Sequence, residues 1–228
     1  MSKPHPKRLL VEGKDELYVI PQFLEQCGIP WGEWDQRDRW PAEIKQFDGI
    51  EPLLKTGVIE SELKTSGLAA LGVMVDANSD PVGRWNRVRA QAVAVFPNLP
   101  ADLPPEGVVV TNAVGLRFGV WLMPDCSSPG MLETFLARFV ADPTGGLWPF
   151  VVAHCAEAKR LHGAPFADAH RDKAQVHAWL ALQDPPGQQL HSAILQNIFR
   201  PGSPEADRFV HWFRTLFLAE PPGPAQAV

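Results

Sequence analysis

The chain has 228 residues, 45% of them hydrophobic, and a formal net charge of −5. That apolar content supports a substantial core in one or two domains and excludes an intrinsically disordered chain. The acidic balance excludes a global positive field that would draw in nucleic acid unaided, and three scattered cysteines (Cys27, Cys126, Cys155) exclude both a disulfide framework and a Cys-x-x-Cys zinc site.

No apolar run approaches the ~18 residues of a membrane span. Residues 1–8 lack the apolar stretch of a signal peptide, so the cytoplasm is the expected compartment. Residues 8–11 then form an apolar run of strand character that ends on Glu12, and Gly13 turns it into a helical segment over 14–27. A strand that stops at an acid places that acid at the carboxyl edge of a sheet, where open α/β sheets bind ligands. Residues 31–40 are a polar connection rich in tryptophan (Trp31, Trp34, Trp40), able to pack on a sheet edge or to stack on bases. A weakly alternating stretch, 43–48, predicts a short strand, and Gly49 opens a helix reaching about residue 65.

The strongest strand, 68–75, runs straight into Asp76-Ala-Asn-Ser-Asp80. Asp80 before Pro81 also fits an N-cap with proline at the first helical position, opening a helix over 82–96. Arg84, Arg87 and Arg89 on that helix are a local basic cluster that can line one flank of a site or face solvent. After a proline-rich loop, 97–105, two strands at 108–111 and 116–122 can add an antiparallel edge. From Gly130 the pattern is helical, over 131–140, 147–161, 171–182, 188–199 and 204–217. The fold class is therefore α/β. Residues 1–125 build a mostly parallel, Rossmann-like sheet with helices on both faces, 126–218 are a helical extension packed on it, and a Pro- and Gly-rich tail, 219–228, is expected to be disordered.

Two apolar strands that end in acids, Glu12 and Asp76, suggest carboxylates converging on a divalent metal. Glu16 lies one helical turn beyond Glu12, so its carboxylate can face the same site. Asp125 ends a third apolar strand, and Glu133 opens the next helix; turn and cap roles explain both equally well. Residues 76–80 fit the first five positions of an EF-hand loop, but Pro81 stands where glycine is needed and Arg87 where the bidentate glutamate belongs. No phosphate-binding Gly-Lys-Ser/Thr loop and no Gly-x-Gly-x-x-Gly follows a strand. His170 and His177 share a helix face but form no zinc motif, and read as surface or core-edge residues.

The Val11-Glu12-Gly13 turn and the later Asp76-x-Asn78-x-Asp80, in that order, resemble the Toprim domain, the metal-binding module of topoisomerases, primases and the OLD-family nucleases. Gly119-Val-Trp-Leu-Met-Pro-Asp125, Gly130-Met-Leu-Glu133, Lys173-Ala-Gln-Val-His-Ala-Trp179 and Pro185-Pro-Gly187 extend the likeness, over most of 8–218, to a small standalone Toprim-like family. The usual pattern has an Asp-x-Asp pair, and here its second aspartate is Asn78, a neutral donor that weakens the site unless Asp80 compensates. The resemblance implies Mg²⁺ or Mn²⁺ held by Glu12, Asp76, Asp80 and Asn78, with Asp125, Glu133 or Glu16 for a second ion. It implies Glu12, Asp76 and Lys173 as catalytic residues, Lys173 stabilising charge on phosphorus. Tyr18 lies inside the first helix and no domain for a nucleophilic tyrosine fits this length, so strand passage is not expected; without zinc-ribbon cysteines, neither is priming. The expected activity is metal-dependent hydrolysis of DNA or RNA. The alternative is a non-catalytic module that binds a partner protein such as an ATPase.

Overall fold

The computed structural model describes residues 4–33, 35–141 and 144–219. Its chain order begins with β1 (Lys7–Val11), α1 (Lys14–Gln26), β2 (Glu43–Gln46), α2 (Ile50–Leu53), α3 (Val58–Leu63), β3 (Ala70–Asp76) and α4 (Pro81–Ala92). It continues with β4 (Val108–Thr111), β5 (Arg117–Met123), α5 (Leu132–Ala137), α6 (Leu147–His162), α7 (Arg171–Leu180), α8 (Leu190–Leu195) and α9 (Pro204–Phe213). The strands form one sheet in the order β2-β1-β3-β5-β4. The first four are parallel, and β4 pairs antiparallel with β5 at the edge, the Rossmann-like α/β arrangement that the alternation of strand and helix predicts.

Period-two alternation of apolar residues divides the strands between two cores. Leu9, Val11, Met74, Trp121 and Met123 face a layer built from α1, α5, α7, α8 and α9. Leu10, Leu71, Val73, Val75, Phe118, Val120 and Leu122 face the opposite layer, formed by α2, α3 and α4. The helices after residue 126 thus share a core with α1.

Several expected elements end early, each for a local reason. The helix from Gly49 breaks in two, because Gly57 adopts a left-handed conformation (φ +86°) between α2 and α3. Asn197, at φ +58°, stops α8 short of Phe199. The final helix is α-helical to Phe213 and then widens into a π turn over Arg214–Leu218. Trp31 and Trp40 are buried and near each other, with centroids 6.2 Å apart, so they pack rather than present faces to bases. Trp34 lies outside the described residues, as does the expected tail beyond Ala219.

The π turn plugs the middle of the sheet. Gly72 and Gly119 are neighbours across β3 and β5, and beside Leu9 they leave a groove with no side chain of its own. A Cβ on Gly119 would stand 2.8 Å from Leu216 Cδ2, and one on Gly72 would stand 2.9 Å from Phe217 Cζ. Lys7 Nζ donates to Phe217 O (2.6 Å) and an Arg117 guanidinium nitrogen donates to Ala219 O (2.7 Å), which satisfies carbonyls left open where the helix ends. Gly119→Val should therefore cost about 1–3 kcal/mol through overpacking, and Leu216→Ala about 2–5 kcal/mol through the cavity it leaves. In urea denaturation the double variant should be less destabilised than the sum of the two, because both changes act on one contact. Additive losses would show that the groove and Leu216 do not depend on each other.

Candidate metal centre at the carboxyl edge of the sheet

Strands β1 and β3 run side by side with Val11 opposite Met74, so their carboxyl ends finish together. Glu12 is the first residue beyond β1 and Asp76 the last of β3. The Asp76 backbone N–H donates to Glu12 Oε1 at 2.7 Å, and the Leu132 N–H donates to Asp76 Oδ1 at 3.0 Å. Glu16, one turn into α1, reaches back so that Oε2 accepts from the Gly13 N–H at 3.1 Å. Glu133, 3% exposed at the start of α5, comes in from the other side. Its Oε1 is 2.7 Å from Lys173 Nζ, an ion pair lacking hydrogen-bond alignment, and 3.8 Å from His177 Nε2. These acids and Lys173, though not His177, line a cleft of about 380 Å³ together with Lys14, Asp15, Gln46 and Asp48.

The charges in this cleft are frustrated. Burial, then repulsion from Glu12, Glu16 and Glu133, holds the Asp76 carboxyl well above the ordinary aspartate range. Burial raises Glu12 as well, against the Asp76 amide and Arg84 that lower it. Glu16, buried and close to Glu12 and Asp15, is pushed up to about 7. Glu133 behaves in the opposite way: burial would raise it, but His177 and Lys173 outweigh that and hold it below the usual glutamate range. Of these four acids, Glu133 has its cation already supplied and Glu12, Glu16 and Asp76 do not.

A hard divalent cation fits that deficit. Glu12 and Asp76 each commit one oxygen to a backbone amide and, among the described residues, keep the other unbonded. Gln46, at the end of β2, adds a buried side-chain oxygen with no donor. All are oxygen donors, the kind Mg²⁺ and Mn²⁺ prefer. Among the described residues no three acid, His or Cys side chains stand in ligating geometry, so holding an ion would require these carboxylates to draw closer.

A family model described as protein of unknown function (DUF3226) matches residues 6–218. The chain belongs to the DUF3226 family. Among curated proteins none matches. A solved structure described as the C-terminal region of the Xanthomonas campestris pv. campestris OLD protein phased with mercury is similar to it with 13% identity and a TM-score of 0.40, over 94% of this chain and 97% of that one. No helix among the described residues of this DUF3226 chain is long and apolar enough to cross a membrane.

Of the residues singled out by sequence, the structure brings Glu12, Glu16, Asp76, Glu133 and Lys173 together in the cleft. Asn78, Asp80 and Asp125 are not among its lining residues. Asp80 N-caps α4, its Oδ1 accepting from the Gly83 N–H at 2.8 Å. Asn78 takes a left-handed turn (φ +52°) and bridges by its backbone to Gly130, with which it exchanges two hydrogen bonds. Asp125 accepts from the Ser127 and Ser128 amides and from Arg138, so its carboxylate is already neutralised. Gln46, Asp48, Lys14 and the approach of His177 escaped the sequence reading. His177 had one usable signal, its i, i+4 spacing from Lys173, which puts both on one face of α7.

The raised acids fix a pH response. A carboxyl whose folded pKa exceeds its unfolded value binds more protons when folded, so stability falls as pH rises between the two values. For Glu16 that window runs from about 4.5 to about 7. Metal-free protein should lose stability across it and level off above, and Glu16→Gln should remove a loss on the order of 3 kcal/mol. Urea denaturation at pH 5 and pH 8 in EDTA measures this. A wild-type protein more stable at pH 8 than at pH 5 would contradict a buried, uncompensated acid cluster.

Proposed function

We propose that the chain is a Mg²⁺- or Mn²⁺-dependent phosphoryl-transfer enzyme that hydrolyses phosphodiester bonds in DNA or RNA. The observation that carries this reading is the 2.7 Å contact of Glu12 with the Asp76 amide, which sets two largely buried acids, each with an unbonded oxygen, side by side at a ligand-binding edge. The order of motifs resembling Toprim supports it. Glu12 and Asp76 would hold the ion, with Glu16 and Gln46 as nearby oxygen donors. When bound, the ion supplies Lewis-acid polarisation of phosphoryl oxygens and charge neutralisation. Glu16, with its carboxyl near pH 7, is suited to accept a proton from an attacking water at neutral pH. Lys173, half-exposed and paired with Glu133, lines the cleft, where its ammonium can turn to a phosphate oxygen. Asn78 and Asp80 lie outside the cleft lining, so an amide at position 78 does not count against activity.

The test is cleavage of single- and double-stranded DNA and RNA by the purified protein with Mn²⁺ or Mg²⁺. Activity should vanish in EDTA, and Glu12→Gln should lower it at least about 100-fold while leaving the fold intact. If folded protein binds Mn²⁺ by calorimetry yet cleaves none of these substrates, the non-catalytic reading prevails: a module acting through a partner protein such as an ATPase.

A further inference from the structure

Most cations among the described residues are engaged. Arg8, Lys45, Lys64, Arg87, Arg138, Lys159 and Lys173 pair with acids, and Lys7, Arg89 and Arg117 donate to backbone carbonyls. Of those that are not, among the described residues, Lys14 lines the acid cleft, and Arg84, outside the lining, is near enough for its charge to act on Glu12.

Lys14 is the first residue of α1 and lines the cleft, exposed. A lysine in that position works against the helix macrodipole, so helix stability does not account for it. Arg84 stands in the first turn of α4. With Arg87 and Gln91 it occupies one face of that helix, which meets the α2–α3 segment: Arg87 grips Glu51 with two bonds, and Gln91 donates to Leu54 O and accepts from the Ile59 N–H. Arg84 is the member of that row nearest the carboxyl edge of the sheet and half-buried; its backbone N–H donates to Asp80 O, while its side chain has neither ion pair nor hydrogen bond among the described residues. Its charge is felt at Glu12 and at Glu51.

The helices α1 and α4 follow adjacent parallel strands but pack on opposite faces of the sheet. Lys14 and Arg84 therefore stand on opposite sides of the edge that carries Glu12 and Asp76. Resting on the proposal of phosphodiester chemistry at that edge, we infer that Lys14 and Arg84 hold the backbone phosphates on either side of the reacting one, and that the substrate is a polynucleotide chain lying across the sheet edge from the α1 side to the α4 side. A nucleoside monophosphate or an isolated phosphomonoester has no second backbone phosphate to offer the other cation. The arrangement also answers the acidic balance of the chain, since capture depends on two placed cations and not on a positive surface.

Binding of a fluorescently labelled 20-mer, DNA and RNA, is measured by anisotropy in Ca²⁺ over a range of salt, with a labelled dinucleotide as the short control. The wild type should bind the 20-mer at least tenfold more tightly than the dinucleotide. Lys14→Gln and Arg84→Gln should each weaken the 20-mer and lower the slope of log affinity against log salt by about 0.7–0.9, the double variant by about twice that. Arg84→Lys should restore most of the slope, and calorimetric Mn²⁺ affinity should stay within about twofold of wild type. A double variant with unchanged affinity and slope, thermal melting confirming its fold, overturns the inference, as does equal affinity for 20-mer and dinucleotide. Cleavage that persists with unchanged slope leaves the enzyme reading standing and removes this one. The predicted slope changes without any cleavage do the reverse.

Discussion

Everything at the candidate site depends on a single backbone contact, the Asp76 N–H donating to the Glu12 carboxylate. It exists because β1 and β3 are parallel neighbours whose register brings the last amide of one beneath the first side chain past the other. The same contact makes the site costly. Two buried carboxyls set side by side repel, and a folded chain tolerates that only if protons or a cation neutralise them. A purely structural use of these positions would be served as well by neutral side chains, and the retained acids are what give the cleft its chemical capacity.

The second half of the chain completes this edge. Asp76 is oriented by the Leu132 amide at the entry to α5, and Glu133 beside it is neutralised from α7 by Lys173, with His177 near. Thr134 ties the same two helices together: its hydroxyl donates to Asp172, and it accepts from the Met131 N–H. One end of the cleft is thus uncompensated and the other is saturated. The difference arises because α7 pairs Lys173 with Glu133, whereas among the described residues no lysine or arginine forms an ion pair with Glu12 or Asp76.

Much of this was legible in the sequence because apolar periodicity and strand-terminal acids are local signals. The Val11-Glu12-Gly13 and Val75-Asp76 junctions announce both the strands and the edge at which their acids sit, and the antiparallel edge at β4 follows from the short turn between two strands. Asp80 and Asp125 show the limit. An acid after a strand reads alike whether it caps a helix, as Asp80 does, binds an arginine thirteen residues on, as Asp125 does, or faces a cleft. Only tertiary placement separates these. Gln46 and Lys14 were invisible for the opposite reason: a glutamine ending a weak strand and a lysine opening a helix are unremarkable until the sheet order places β2 and α1 beside the acids. The broken helix after Gly49 turned on one backbone angle at Gly57, which composition does not report.

The glycine groove has a consequence for how this molecule comes into being. Leu216 and Phe217 sit against Leu9, Gly72 and Gly119, and Lys7 reaches a carbonyl 210 residues away. The central row of the sheet is therefore closed by residues that come well after its last strand, β5, in the chain. Until they emerge, a nascent chain holds an open apolar trough along β3 and β5, and contacts of such long separation form slowly. The sheet whose edge carries the acids is then finished only after the helices that follow β5 have been made. The edge that carries Glu12 and Asp76 thus gains its support late, by the ordering of the chain itself.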